Sequence, residues 1–234
     1  MQFMDQSNKA TQSGAKEADN MKSRAVKLED LELDTIYKDN SGHFFKISYD
    51  ECADSPRLND EIVTILTWER NYLSPDDNND TFEEFAEKHG VDISQEYDLY
   101  SVIDAMKKGG WYAVPVYALY HGVSHYSIDD FHDQWDSGVV GIAFCQRQKG
   151  LPDNDNSLRM IIDQAVQRYD AWVNGEIYEI VSLNQNGKVL DRSGEYMILD
   201  GDRAGMLEDM LSSVGIDIQD EYQPAVREVT VSLK

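Results

Sequence analysis

The chain is short of cysteine and of basic residues, and it lacks any long apolar run. Its two cysteines, Cys52 and Cys145, do not form a C-x-x-C pair, which excludes a disulfide framework and a zinc ribbon. No stretch approaches the roughly 20 apolar residues of a membrane-spanning helix, and residues 1–27 lack the apolar core of a secretory signal. The sequence therefore predicts a cytoplasmic protein that does not enter a membrane.

The charge is mainly of one sign: 44 acidic residues stand against 21 basic ones, and the formal net charge is -23. Binding to phosphate groups needs an excess of Lys and Arg, so this balance excludes a general nucleic-acid-binding protein and an anionic membrane surface as partner. The apolar fraction of 41% is enough for one large or two small cores. The chain as a whole is therefore expected to fold.

Hydrophobic patterning predicts an α+β fold, with helices packed on a mainly antiparallel sheet and an acidic surface. Residues 1–27 are polar and are expected to form a mobile tail. The pattern then predicts a β-hairpin over 28–48, a main α+β domain over 49–200, and a C-terminal helix and strand over 201–234 that pack on it. The last of these strands is placed near 226–233.

Local signals place two of the helices. Thr81 and Glu84 have the spacing of a capping box, which predicts a short helix that ends at Gly90. Apolar residues at helical spacing predict a second helix over 94–108.

Further signals predict a buried strand and a long helix. The apolar run 111–120 predicts the strand, and Pro115 places it at a sheet edge or introduces a bulge, because proline cannot donate to the ladder. The pattern over 157–173 predicts an amphipathic helix, with Asn156 as a suitable cap at its start.

The acidic residues are concentrated in parts of the chain. Between Asp50 and Asp104, sixteen Asp and Glu residues stand against three Lys and Arg residues, so this quarter of the chain carries -13. The segment 129–136 holds four carboxylates, and 191–221 holds nine acidic residues against two basic ones. One interpretation is that this charge only keeps the protein soluble. The other is that it forms an interface.

A surface with rows of carboxylates can imitate DNA, because duplex DNA carries one negative charge per roughly 1.7 Å of its axis. Such a surface can occupy the basic groove of a DNA-binding protein, and electrostatic steering favours the encounter. Trp135, within one acidic segment, is a candidate anchor for a partner. The residues predicted to contact the partner are Asp76, Asp77, Asp80, Glu83, Glu84, Glu87, Glu96, Asp98, Asp104, Asp129, Asp130, Asp133, Trp135 and Asp136.

A polar segment over 120–138 supplies the candidates for metal binding. His121, His125, His132 and Asp136 are residue types that hold zinc or iron when three or four of them converge. The alternative is that these histidines cap strand ends or bond to the backbone. The sequence holds no H-E-x-x-H, no G-x-S-x-G and no phosphate-binding glycine motif, so no catalytic residue and no cofactor is predicted.

Several stretches carry a family resemblance, which covers roughly residues 49–200. They are YDE (49–51), SPR (55–57), TWERNY (67–72), VPVY (114–117), HG (121–122) and WDSGVVG (135–141). Together they resemble a family of uncharacterised accessory proteins from phages, plasmids and conjugative elements of Gram-positive bacteria. The chain departs from the family pattern Asp-His-Ser-Gly at Tyr120 and Gly122.

The resemblance brings no established activity, but it implies an accessory protein of a mobile element. Acidic proteins of this kind include antirestriction and anti-CRISPR inhibitors that resemble DNA electrostatically. The combined expectation is a non-enzymatic inhibitor in the host cytosol, which binds a host protein with a basic DNA- or RNA-binding groove and does not itself bind nucleic acid. The alternatives are a metal-dependent enzyme or metal-binding protein that uses the 120–138 segment, and an acidic structural accessory protein.

Overall fold

The computed structural model describes residues 25–58, 60, 62–68, 74–77, 79–91, 99–197 and 203–225. These residues form antiparallel sheets with packed helices, which confirms the predicted α+β class. Most of the predicted tail and the whole predicted strand near 226–233 lie outside them. None of the described helices is long and apolar enough to cross a membrane.

The elements are numbered here in chain order over the described residues. They are β1 (Val26–Lys27), a 3-10 turn (Leu28–Asp30), β2 (Tyr37–Lys38), β3 (Phe44–Tyr49), β4 (Val63–Thr67), α1 (Phe82–Lys88), α2 (Leu99–Lys108), β5 (Trp111–Tyr120), β6 (Ser124–Ser127), β7 (Ser137–Gln146), α3 (Asp155–Val173), β8 (Ile177–Leu183), β9 (Val189–Met197), α4 (Arg203–Ser213) and β10 (Glu221–Pro224).

The chain divides into two compact units, one of 51–176 and one that combines 1–50 with 177–234. This differs from the predicted boundaries, which placed 49–200 in a single domain. The reason is long-range strand pairing: β8 pairs with β3 along its whole length, so residues after 176 fold with the N-terminal hairpin. A local pattern identifies a strand but does not identify its neighbour.

The unit formed by 1–50 and 177–234 contains a six-stranded sheet in the order β1-β10-β2-β3-β8-β9. The predicted N-terminal hairpin is confirmed, since β2 and β3 pair with Tyr37 opposite Phe45. Helix α4 buries Leu207 and Met210 in a core that also contains Phe45 and Ile180. The sheet therefore has one of its faces covered by α4.

A buried carboxylate organises the turn between β2 and β3. Asp39 Oδ1 accepts from the amide of His43 (2.7 Å), whereas Oδ2 accepts from the amide of Asp217 (3.2 Å) and lies 2.9 Å from His43 Nδ1. Burial alone would raise the pKa of Asp39, but these partners outweigh it and hold the pKa below the usual range.

Acid will therefore weaken this turn. The folded-state pKa of Asp39 is depressed, so its contribution is complete above the unfolded value of about 3.9 and is lost as the pH falls through the folded-state pKa. We expect the free energy of unfolding, measured in urea by circular dichroism, to fall less steeply below about pH 5 in Asp39→Asn than in the wild type. Asn40→Ser, in the same turn, changes no titratable group and is the control. Equal slopes in the wild type and Asp39→Asn would contradict this account.

The 51–176 unit contains a four-stranded sheet in the order β4-β7-β5-β6. Successive residues of a strand point to opposite faces, and here both faces are apolar. On β5, Tyr112 and Val114 pack in the core that includes α3, whereas Trp111 and Ala113 pack with α1 and α2. Helices therefore cover both faces of this sheet.

The capping signals for α1 are confirmed. The amide of Glu84 donates to Thr81 Oγ1 (3.2 Å), and the amide of Thr81 donates to Glu84 Oε2 (2.9 Å), which completes the capping box. Gly90 follows the helix with a φ of 76°, a conformation that favours glycine. Of the predicted helix over 94–108, residues 94–98 lie outside the described residues, and α2 begins at Leu99.

The expectation for Pro115 is wrong in position. Strand β5 is not an edge strand, because it lies between β7 and β6, and the irregularity in its pairing falls between Val116 and Tyr117. Strand β6 pairs with β5 only from Tyr117 onward. At Pro115, β5 therefore pairs with β7 but not yet with β6. The N–H that proline lacks would have no partner there, so the sheet loses no hydrogen bond.

The predicted cap of the long helix is also corrected. Helix α3 begins at Asp155, and Asn154 rather than Asn156 is its N-cap, with its side chain accepting from the amide of Ser157 (2.9 Å). The run Asp-Asn-Asp-Asn offers several good caps in succession, so composition alone does not select one of them.

A buried ion-pair network closes the outer edge of β4. The side chain of Arg57 is 4% exposed. Its guanidinium donates to both carboxylate oxygens of Asp76 (3.0 and 2.9 Å), to Asp60 (2.6 Å) and to the carbonyl of Val63. Asp76 in turn accepts from the amide of Ile65 (2.6 Å). The network occupies backbone groups that would otherwise be open to pairing with another chain.

Candidate functional site

The segment 129–136, named here the acidic loop, connects β6 to β7 and is held by its own side chains. Asp133 Oδ1 accepts from the amides of Trp135 and Asp136, both at 2.8 Å. Asp130 Oδ1 accepts from the amide of His132 (2.9 Å). These bonds fold the loop into short turns of the kind that Asp side chains favour.

Backbone bonds join the acidic loop to the turn between β5 and β6. The amide of Tyr120 donates to the carbonyl of Asp136 (3.0 Å). Within the turn, the amide of His121 donates to the carbonyl of Val123 (3.1 Å), and Gly122 has a φ of 87°. Two separate segments are thereby placed side by side.

Trp135, the candidate anchor for a partner, is 88% exposed on this hydrogen-bonded loop. Trp68, Trp111 and Trp172 are instead packed against apolar cores. Tyr120 is also exposed, so the turn adds a second aromatic side chain to the same surface. Tyr and Trp side chains are enriched at protein interfaces.

The four carboxylates of the acidic loop differ in their partners. Asp129 pairs with Arg159 (2.6 Å), whereas Asp130 and Asp136 are exposed and have only histidines as ionic partners among the described residues. Hydrogen bonds from the amides of Asp136 and Trp135 hold the pKa of Asp133 below its usual range. The loop therefore presents negative charge at neutral pH.

The predicted metal-binding residues are only partly brought together. His121 Nε2 lies 3.4 Å from Asp136 Oδ2 and 3.9 Å from Asp133 Oδ2. His132 instead lies beside Asp130, with 3.7 Å between Nδ1 and Oδ2. Asp133, predicted to contact a partner, thus joins His121 and Asp136 in one cluster.

The last predicted metal ligand, His125, lies against the end of α3 and not in this cluster. Its Nδ1 lies 3.5 Å from Asp170 Oδ2 and 3.3 Å from Asn174 Nδ2, both at the end of α3. Asp170 also accepts from the amide of Tyr126 (2.7 Å) on the edge strand β6. His125 therefore lies in the contact of β6 with α3 and apart from His121.

A second acidic group lies on and before α1, and some of its members are used within the fold. Asp76 binds Arg57, and Asp80 binds Lys88 at 2.6 and 2.7 Å. Glu84 forms the capping box described above. The other described members are exposed, and no described Lys or Arg forms an ion pair with them: Asp77, Glu83, Glu87 and Asp104. Glu96 and Asp98 lie outside the described residues.

A pair of tyrosines lies between α2 and the acidic loop. The hydroxyls of Tyr100 and Tyr117 are 3.2 Å apart. This hydrogen bond, with partial burial and the nearby charges of Asp130 and Asp129, raises the pKa of Tyr117 to about 12. The carboxylates of the acidic loop therefore act electrostatically on Tyr117 of β5.

The metal ligands predicted from the sequence include Asp136 but not Asp133, whose Oδ2 lies 3.9 Å from His121 Nε2. The sequence signal for the turn in this loop is the spacing Asp133-x-x-Asp136. An Asp side chain can accept hydrogen bonds from amides a few residues later, which folds the chain back on itself.

The chain was compared with known protein families, curated proteins and solved structures. No family model, curated protein or solved structure matches the chain.

Proposed function

We propose that this chain is a non-enzymatic inhibitor that acts in the host cytosol. Its acidic loop binds the basic nucleic-acid-binding groove of a host defence protein, of restriction or CRISPR type, and competes there with DNA. The observation that supports this most is Trp135, held 88% exposed on an ordered loop of carboxylates.

The exposed ring of Trp135 is expected to supply a large part of the binding energy. Binding energy at protein interfaces is concentrated in a few aromatic and Arg side chains near the centre, surrounded by polar groups. The hydrogen bonds from Trp135 and Asp136 to Asp133 order the loop before any partner arrives. Less conformational entropy is therefore lost on binding.

The charge selects the class of partner. Asp130 and Asp136 flank Trp135, and Asp77, Glu83, Glu87 and Asp104 add exposed carboxylates in the same unit. A basic groove is complementary to this surface, and long-range attraction speeds the encounter. The resemblance to accessory proteins of mobile elements supports a defence protein as the owner of that groove.

The proposal is tested on a panel of purified restriction enzymes and RNA-guided nucleases with the chain immobilised. We expect at least one enzyme to bind with an affinity that falls at least tenfold between about 0.05 and 0.2 M salt, because charge pairs at a surface are screened. Neutralising Glu83, Glu87 and Asp130 together to Gln, Gln and Asn should weaken binding while it leaves the capping residue Glu84 intact.

The matched control removes the same charge from the other unit, at the exposed residues Asp191, Glu208 and Asp209. This control should bind as the wild type does. The proposal fails if no enzyme of the panel binds, if affinity is independent of salt, or if both triple variants lose affinity equally.

A further inference from the structure

The carboxylates of Asp133 and Asp136 converge on one imidazole. We propose that His121, Asp133 and Asp136 form a binding site for a divalent transition-metal ion, with Zn²⁺ as its expected occupant. The three side chains come from two segments, the β5–β6 turn and the acidic loop, which the bond from Tyr120 to Asp136 holds together. One ligand atom from each lies within 4.8 Å of the others.

The spacing of the ligand atoms suits a small ion. A tetrahedral ion with bonds of about 2.0–2.1 Å keeps its ligand atoms roughly 3.3 Å apart. His121 Nε2 and Asp136 Oδ2 are 3.4 Å apart, and His121 Nε2 and Asp133 Oδ2 are 3.9 Å apart. His121 and Asp136 are exposed, so rotation of these two side chains can bring the ligand atoms to that spacing.

Asp133 is oriented for this role by its neighbours. Its Oδ1 accepts two backbone hydrogen bonds, from Trp135 and Asp136, while its Oδ2 is the oxygen that approaches His121. Hydrogen bonds to the second atom of a ligand fix its orientation in metal sites. Two like charges this close to one another also repel unless a cation lies between them.

The donor set indicates the class of ion. One imidazole nitrogen and two carboxylate oxygens suit Zn²⁺, whereas Ca²⁺ and Mg²⁺ prefer an all-oxygen shell. Three protein ligands leave a fourth position for water, because the cluster is open to solvent. An ion there would join the β5–β6 turn to the acidic loop. Metal binding at this site requires no partner protein.

The test is calorimetric titration of the full chain, purified without a histidine tag and treated with a chelator, with ZnCl₂. We expect one ion per chain. His121→Gln and Asp136→Asn should each lower the affinity at least tenfold, because losing even a hydrogen-bond partner of a metal ligand costs roughly 10–100-fold. Co²⁺, as a spectroscopic probe, should give the visible absorption of a tetrahedral site in the wild type but not in His121→Gln.

Three control variants separate this site from other ligands. His132→Gln and Asp130→Asn remove one imidazole and one carboxylate from the same loop outside the cluster, and Cys52→Ser removes the exposed thiol. All three should bind Zn²⁺ as the wild type does. The inference is overturned if the wild type binds no stoichiometric ion, if His121→Gln retains full affinity, or if a control loses as much as His121→Gln.

Discussion

Replacing Arg57 with Met will lower the free energy of unfolding by about 3–5 kcal/mol, a large part of the stability of an ordinary domain. The buried guanidinium is the shared partner of the half-buried carboxylates of Asp76 and Asp60. Its removal leaves two carboxylates without a cation, and it frees the carbonyl of Val63 at the edge of β4. The exposed strand edge should also increase aggregation.

Tryptophan fluorescence in urea measures this effect selectively, because all four tryptophans lie within the 51–176 unit. Arg168→Met, which alters an exposed arginine of the same unit, is the control and should stay within about 0.5 kcal/mol of the wild type. A double-mutant cycle with Asp76→Asn should show a coupling of about 1 kcal/mol or more. A cost for Arg57→Met no larger than that of Arg168→Met would mean that the network does not stabilise the unit.

The second large effect concerns binding. Trp135→Ala should weaken binding to a responsive nuclease by about 2 kcal/mol or more, roughly thirtyfold, because a central aromatic residue dominates an interface of this kind. Folding should be unaffected, since the side chain is 88% exposed and is absent from the core. The affinity is measured by surface plasmon resonance, with unfolding in urea as the check on stability.

Leu58→Ala is the matched control, because Leu58 is another large, exposed apolar residue of the same unit. It precedes β4, which is the opposite edge of the sheet from β6, and it should bind as the wild type does. If Trp135→Ala retains full affinity, Trp135 is a solvent-exposed ring without a role in docking. If both variants lose affinity equally, the contact is not specific to the acidic loop.

Local signals predicted much of the fold. The capping box of Thr81 and Glu84 and the amphipathic face of α3 are confirmed, because each depends on residues within a few positions of one another. The boundary between the units was not predictable in the same way. It depends on β8 pairing with β3, and no period in the sequence encodes which strands become neighbours.

The same distinction applies to the candidate site. The sequence identified Trp135 as a candidate anchor because of its acidic neighbours, and its side chain is exposed. The ion pair between Asp76 and Arg57 was not predicted, because it joins residues 19 positions apart in the sequence. The cluster of His121 with Asp133 likewise depends on the acidic loop folding back to the β5–β6 turn. The charge pattern therefore identified which segments are acidic, whereas the fold determined which of their carboxylates remain exposed.

The most direct test of the proposed inhibition is a competition measurement with a labelled DNA duplex and a nuclease that binds the chain. The fluorescence anisotropy of the duplex reports its affinity for the enzyme at increasing concentrations of the chain. Competition for one groove predicts that the apparent Kd of the duplex rises in proportion to the free chain, and that Trp135→Ala requires a higher concentration for the same rise. An enzyme that binds the chain while its affinity for the duplex stays unchanged would contradict DNA mimicry.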